Sequence, residues 1–184
     1  LEDNVLRKII VYIATSADGY IARSDGDVAW LDRPRPKGNY GMAAFYKSVD
    51  AVLLGRKTYD IALAFGQAAY PGKKNYLFSR SRRRSRTPEV ELVRGNIGEF
   101  ARKLRSAEGK NIWLVGGGEL IASFLDEGQI DEFIIHVIPI FIGEGIPLIS
   151  PAQRSVRLEL LSSEAYPDGV VRLHYSVLPP RVKG

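Results

Sequence analysis

Apolar positions recur along the chain in two rhythms. The largely β-branched run from Ile9 to Ile13, in KIIVYIATSADGYIA, reads as a buried strand, and AVLLG, NYLFS and VELV read the same way. Met42 to Val49 has a short helical look, with Phe45 and Val49 four apart, and TYDIALAF continues as a helix from AVLLG. NIGEFARKLRSAEG offers Asn96 as a cap, Glu99 at the capping-box position, and a stripe of Ile97, Phe100, Ala101 and Leu104. Gly109 sits where that helix would stop. NIWLV then runs through Gly116, Gly117 and Gly118 into a helix from about Glu119 to Glu127. Beyond it the text turns to strands: Asp131 to Ile142, Val156 to Ser163 and Val170 to Val177. Pro167-Asp168-Gly169 marks the turn joining the last two.

Alternating strands and helices followed by an all-strand tail imply a three-layer α/β/α domain, largely parallel, with antiparallel strands at one edge. The polar, Gly/Pro-rich stretch RSDGDVAWLDRPRPKGN is a long loop of the kind that often carries function. No linker or repeat interrupts the text, so residues 1–184 read as one domain.

Composition narrows the chemistry. The chain has no cysteine and two histidines, His136 and His174, both in strand-like text, which excludes disulfides and thiolate catalysis and argues against a structural metal. His136 is expected to be a strand residue with a satisfied ring. The longest apolar candidate, FIIHVIPIFIG, is broken by His136 and Pro139 and falls short of a membrane span. The opening LEDNVLRK shows no basic-then-apolar leader, so a cytoplasmic location is expected. The net charge of +5 is matched by the five arginines of RSRRRSR, Arg80 to Arg86, which leaves the remainder neutral. That is a local patch, read as a solvated loop or an anion clamp, and not the spread basic face of a nucleic-acid binder.

Two strand-to-helix junctions hint at an anion. VGGGELI fails the dinucleotide fingerprint because Ile121 stands where a last small residue belongs. GRKT, Gly55 to Thr58, resembles the end of a Walker A loop, but Asp50 occupies its first glycine position. The physics of both motifs survives nonetheless, since free N–H groups of a first helical turn can meet a phosphate. Three successive glycines, each disfavoured in a helix interior by about 1 kcal/mol, further suggest a tight turn or a close backbone approach. A third strand end, NYLFSR, delivers Ser79 and Arg80 to the same rim.

The order TSADGYIA, VDAVLLGRKTYD, NYLFSRS, WLVGGGELIASFL and IDEFIIHVIPIFIGEGIPL resembles the dihydrofolate reductase-like superfamily. It is most similar to the C-terminal reductase domain of bacterial riboflavin biosynthesis and to related stand-alone proteins, over about Lys8 to Val177. The resemblance implies a dihydrofolate reductase-like fold around a mixed, mostly parallel sheet of about eight strands, and NADPH as cofactor. Gly55 and Arg56, with Lys57 and Thr58 beside them, match the arginine site of the 2′-phosphate. Ser79 and Arg80 match the residues flanking the adenosine phosphate. Gly116, Gly117, Gly118, Glu119 and Leu120 match the loop under the pyrophosphate and nicotinamide, with a cis Gly116–Gly117 peptide. Ala14 and Ile21 match positions whose backbone holds the carboxamide. Guanidinium grips phosphate bidentately, so Arg56 and Arg80 suit NADPH over NADH. For Arg82, Arg83, Arg84 and Arg86 a solvated loop is the preferred reading.

The pattern also breaks. Dihydrofolate reductases carry a carboxylate on the first helix, near Gly41 here, and no acid occurs between Asp32 and Asp50. The family tyrosine near the nicotinamide is Ile121. Folate reduction is therefore the alternative, and DGYIA instead resembles the riboflavin-pathway segment. Asp18 is the candidate for substrate positioning or proton relay. Trp30 and Phe45 are candidate walls for a flat heterocycle, and Glu144 a candidate contact to a substrate hydroxyl. The reading is an NADPH-dependent reductase of a small polar heterocycle, similar to the reductase of a ribosylamino-uracil phosphate. A non-catalytic nucleotide-binding protein that kept the fold is the other alternative. No nucleic acid, membrane or metal is expected, and the apolar strand-rich end, IDEFIIHVIPIF, is a candidate homodimer contact because related reductases often pair.

Overall fold

The structure is a computed structural model that describes residues 6–67, 69–81 and 84–180. Strand β1 (Ile9–Ser16) and a short β2 (Tyr20–Ala22) are followed by α1 (Met42–Ser48), β3 (Val49–Gly55) and α2 (Arg56–Ala64). Then come β4 (Lys74–Phe78), β5 (Val90–Val93), α3 (Ile97–Ser106), β6 (Asn111–Gly116) and α4 (Gly118–Asp126). The chain closes with β7 (Glu132–Ile138), β8 (Ile146–Pro147), β9 (Leu158–Ala165) and β10 (Val171–Val177).

Eight strands form one sheet in the order β5-β4-β3-β6-β1-β7-β10-β9. Pairing is parallel from β5 through β7, and β10 turns antiparallel against both β7 and β9. This is the α/β, dihydrofolate reductase-like architecture expected. Its central strands read as continuous apolar runs because both faces are covered. One core gathers Phe78, Phe124 and Leu104 between the sheet and α3/α4, the other Tyr12, Phe45, Tyr59 and Trp113 beneath α1 and α2.

Local signals act largely as read. The Asn96 side chain accepts from the Glu99 N–H at 2.8 Å and starts α3. The strand expected from Asp131 to Ile142 ends at Ile138 instead. Pro139 has no N–H to donate, and the chain turns there, with Ile140 N–H bonding the Ile138 carbonyl at 2.8 Å. Two short strands escaped the sequence reading: β2 and β8 pair antiparallel and bring the residues around Pro147 beside those around Tyr20. Leu158, Leu160 and Leu161 on the edge strand β9 are exposed, whereas β7, which carries much of the IDEFIIHVIPIF stretch, lies between β1 and β10 and is largely buried.

Candidate functional site

The carboxyl ends of β3, β4 and β6 open onto one cleft of ≈ 1440 Å³, to which β1 contributes Ala14. The turns after β3 and β6 touch. A Cβ added to Gly55 would stand 3.2 Å from the Gly116 oxygen and 3.3 Å from the Gly117 nitrogen, so a side chain there would crowd the main chain of the other turn. The Gly116–Gly117 peptide is cis, as the resemblance implied. A Cβ on Gly118 would run into the carbonyl oxygen of Pro147, which places the chain around β8 directly against the start of α4. Main chain, not side chain, therefore forms this part of the wall.

Both helices that start here are uncapped by side chains. Gly55 and Gly117 hold the N-cap positions of α2 and α4 and have no side chain to cap the first-turn N–H groups. Their first-turn N–H groups carry the positive end of the helix dipole toward the cleft. Arg56, Lys57 and Arg80 add three cationic side chains to the same wall, with Thr58 and Ser79 between them. Glu119, Asp126 and Glu127 bring acids to the same cleft, and Glu119 meets the cations directly: its Oε1 accepts from Lys57 Nζ at 2.9 Å. The hydrogen bond and charge of Lys57, with Arg56 and Arg80 behind it, hold the Glu119 carboxyl below the usual range. Arg56 also reaches Asp60 one turn on, at 3.9 Å and half exposed, a contact weak enough to exchange for a ligand.

The residues matched to the cofactor thus meet. Ala14, Ile21, Gly55, Arg56, Lys57, Thr58, Ser79, Arg80, Gly117, Gly118, Glu119 and Leu120 share the cleft, and Gly116 lies just beneath as the hinge of the turn. Arg84 and Arg86 are exposed outside it, in keeping with a solvated loop, while Arg82 and Arg83 lie outside the described residues.

The substrate-side candidates fare differently. Asp18 does not face the cleft. Its carboxylate accepts from Ser16 Oγ at 2.6 Å, Gly143 N at 2.8 Å and Ile142 N at 3.3 Å, which fastens the β1–β2 turn to the chain leaving β7. The Ser16 hydrogen bond, helped by those two amides, holds its pKa below the ordinary aspartate range, so it stays ionised and is no proton donor near neutrality. Phe45 is core: it stacks on Tyr12 at 4.2 Å between centroids and meets Trp113 edge-on at 5.5 Å. The Phe45 face that was to wall a flat heterocycle is taken by the Tyr12 ring. Trp30 is half-buried, and its neighbours Val28 and Leu31 line the cleft in its place. Glu144 is exposed beside the cleft residue Gly145 without lining the cleft itself.

A fourth strand end joins the site unannounced. Arg94, Gly95 and Asn96, between β5 and α3, form part of the wall, as does Ser150, whose N–H bonds the Gly118 carbonyl at 3.2 Å. VRGNIGEF carries the same strand-to-helix signature as the other junctions, and that signal was available. Nothing local marks Ser150.

Comparison with known proteins places these features in context. The profile of the RibD C-terminal domain family matches residues 7–172. The uncharacterized protein YwjB of Bacillus subtilis (strain 168) is 38% identical over 170 residues, which span 92% of this chain and 97% of YwjB. A protein provisionally assigned to riboflavin biosynthesis in Shewanella sp. PV-4 superposes with a TM-score of 0.83 at 32% identity, covering 94% of this chain and 99% of that one. A diaminohydroxyphosphoribosylaminopyrimidine deaminase/5-amino-6-(5-phosphoribosylamino)uracil reductase of Thermotoga maritima shares the fold, with a TM-score of 0.70 at 15% identity. That match covers 94% of this chain and 57% of the longer Thermotoga one.

Proposed function

The chain belongs to the RibD C-terminal domain family, and from that premise we propose that it is an NADPH-dependent reductase of a small polar heterocycle, of the ribosylamino-pyrimidine type. The observation that carries this reading is convergence. Gly55–Arg56, Ser79–Arg80 and Gly117–Gly118 come from three separate strand ends, yet they face one cleft.

The cleft fits a phosphorylated dinucleotide on three counts. Glycines at 55, 117 and 118 keep side chains out of the wall, two uncapped helix starts present N–H groups, and Arg56, Lys57 and Arg80 supply charge for phosphate. Arg56 and Lys57 would hold the 2′-phosphate, Ser79 and Arg80 the adenosine side, and the main chain of Gly117 and Gly118 the pyrophosphate. Ala14 and Ile21 would orient the nicotinamide end. When bound, the cofactor supplies hydride, so the chain needs no covalent catalyst. The task of its residues is alignment and exclusion of water, which Ile21, Leu120 and the chain around Pro147 serve by walling that end with apolar and main-chain atoms.

Folate reduction is disfavoured on the same grounds. α1 bears no carboxylate, and Ile121 is fully buried in the core where the family tyrosine would meet the cofactor.

The test is titration with NADPH and NADH of the wild type and of Arg56→Ala. NADPH is expected to bind the wild type more tightly, and the substitution to weaken NADPH about tenfold to a hundredfold while sparing NADH. Equal, weak binding of both cofactors would overturn the cofactor assignment. Tight NADPH binding without turnover of dihydrofolate or of the pyrimidine substrate would instead favour a binding protein that kept the fold.

A further inference from the structure

On the sheet face beneath α1, one row of side chains crosses four strands in register. It runs from Ala14 on β1 to His136 on β7, Arg172 on β10 and Glu164 on β9. Ala14 lines the cleft, so His136 is the first side chain beyond it. The imidazole is 4% exposed, and its Nε2 has no hydrogen-bond partner among the described residues. The expectation of a satisfied ring is therefore not met. Its neighbour Arg172 has a buried Nε in the same condition. Buried nitrogens without partners are uncommon, and two on adjacent strands mark a place where something polar belongs.

Tyr40 covers them. Its ring lies 5.7 Å from the imidazole and meets Tyr166 edge-on at 4.9 Å. Its hydroxyl donates to the Asp168 carboxylate, while Arg33 holds the Asp168 carbonyl at 2.7 Å. The turn that carries it is unusual. Gly38, Asn39, Tyr40 and Gly41 have φ of 86°, 45°, 56° and 83°. Asn39 and Tyr40 are side-chain-bearing residues held in the left-handed region, a conformation that persists where surrounding contacts impose it and that clusters at ligand clamps.

We propose that the Gly38–Gly41 turn is a lid, and that with Tyr40 lifted His136 Nε2 and Arg172 Nε read a lactam edge, an N–H beside a C=O, on the substrate. Burial, then the charge of Arg172, lowers the His136 pKa against the pull of the Tyr40 and Ile13 carbonyls, so the ring is neutral near pH 7. We assign its single proton to Nδ1, toward the Ile13 carbonyl, which stays in place on β1 when Tyr40 lifts; this leaves a lone pair on Nε2 to accept an N–H. Arg172 Nε can only donate, and the carbonyl beside that N–H is its partner. A phosphate or carboxylate offers no donor for Nε2 and satisfies half of the pair. Tyr12, its ring 4.8 Å from the imidazole, supplies the apolar wall for a flat ring. This inference rests on the reductase reading, because it names the substrate edge that the same site would hold.

The chain has two histidines, so its imidazole ¹⁵N spectrum carries two sets of signals, with His174, bonded to Glu132, as the internal control. Wild-type protein would be titrated with uracil and with 1,3-dimethyluracil, which keeps the carbonyls and lacks the N–H. Uracil is expected to shift the His136 Nε2 resonance in the direction of an accepted hydrogen bond and to leave His174 unmoved, and dimethyluracil to do neither. Tyr40→Phe cuts the tether to Asp168 and should tighten uracil binding about fivefold by making the open form more populated. An unmoved His136 signal at millimolar uracil in both proteins, or an equal response to dimethyluracil, overturns the proposal. If NADPH binds as expected while His136 stays silent, this inference alone falls. If NADPH fails to bind, the reductase reading falls with it.

Discussion

Lys57 and Glu119 join the first turns of two helices that begin at different strands, their side chains bonded at 2.9 Å across the mouth of the cleft. The pair puts a carboxylate where two helix starts and three cations would otherwise receive phosphate. Both side chains are largely exposed, so the bridge adds little to stability. Its effect belongs to binding. Glu119→Gln should free Lys57 and tighten NADPH several-fold at low salt, with the gain fading as ionic strength rises. Weaker NADPH binding in this variant would instead make Glu119 a direct ligand of the ribose.

Gly55→Ala tests the contact between the two turns. The new methyl would press on the main-chain atoms of Gly116 and Gly117, which cannot swing aside as a side chain does. A loss of about 1–3 kcal/mol in unfolding free energy is expected, with NADPH affinity falling further than stability. A melting curve and a titration on the same sample separate the two effects. An unchanged NADPH affinity would show that the spacing of these turns does not matter to the cofactor.

Asp18→Asn distinguishes a staple from an acid. The amide can no longer accept at both oxygens from Ser16, Ile142 and Gly143, so the melting temperature should fall. The shape of the pH–rate profile should not change, because Asp18 is already ionised throughout the working range. A lost ionisation in that profile would restore its catalytic role.

Glu132 makes a pH-dependent contribution to stability at the sheet's other end. It accepts from Lys8 Nζ at 2.6 Å and His174 Nε2 at 2.8 Å. Burial pulls its pKa up, but the hydrogen bonds and charges of these partners together hold it below the ordinary 4.5. A carboxyl depressed in the folded state stabilises it above the unfolded pKa and loses that contribution as pH falls through the folded value. Denaturant midpoints should therefore drop below about pH 4.5 in the wild type, and Glu132→Gln should flatten that limb. At pH 7 the variant should be less stable by roughly 1–3 kcal/mol. An unaltered acid limb would assign it to other carboxylates.

How much of this was legible in advance can be seen residue by residue. GRKT and VGGGEL announced themselves as strand ends meeting helix starts and NYLFSR as a third strand end, and residues of all three line one cleft. Asn96 declared itself as a cap and was also part of the wall, which the local pattern had no means to show. Phe45 carried the same helical periodicity whether it faced substrate or core, and only its stack on Tyr12 decides between them.

What the sequence determined by itself is what neighbouring residues settle among themselves: periodicity, caps and glycine turns. The tertiary structure alone decided which polar groups are spent and which remain. Asp18 lost its freedom to the amide of Gly143, 125 positions away, while His136 kept an unpaired nitrogen between strands that meet only in the sheet. A side chain's chemistry is set by what stands within hydrogen-bond reach, and at these sites that neighbour arrives from a distant part of the chain.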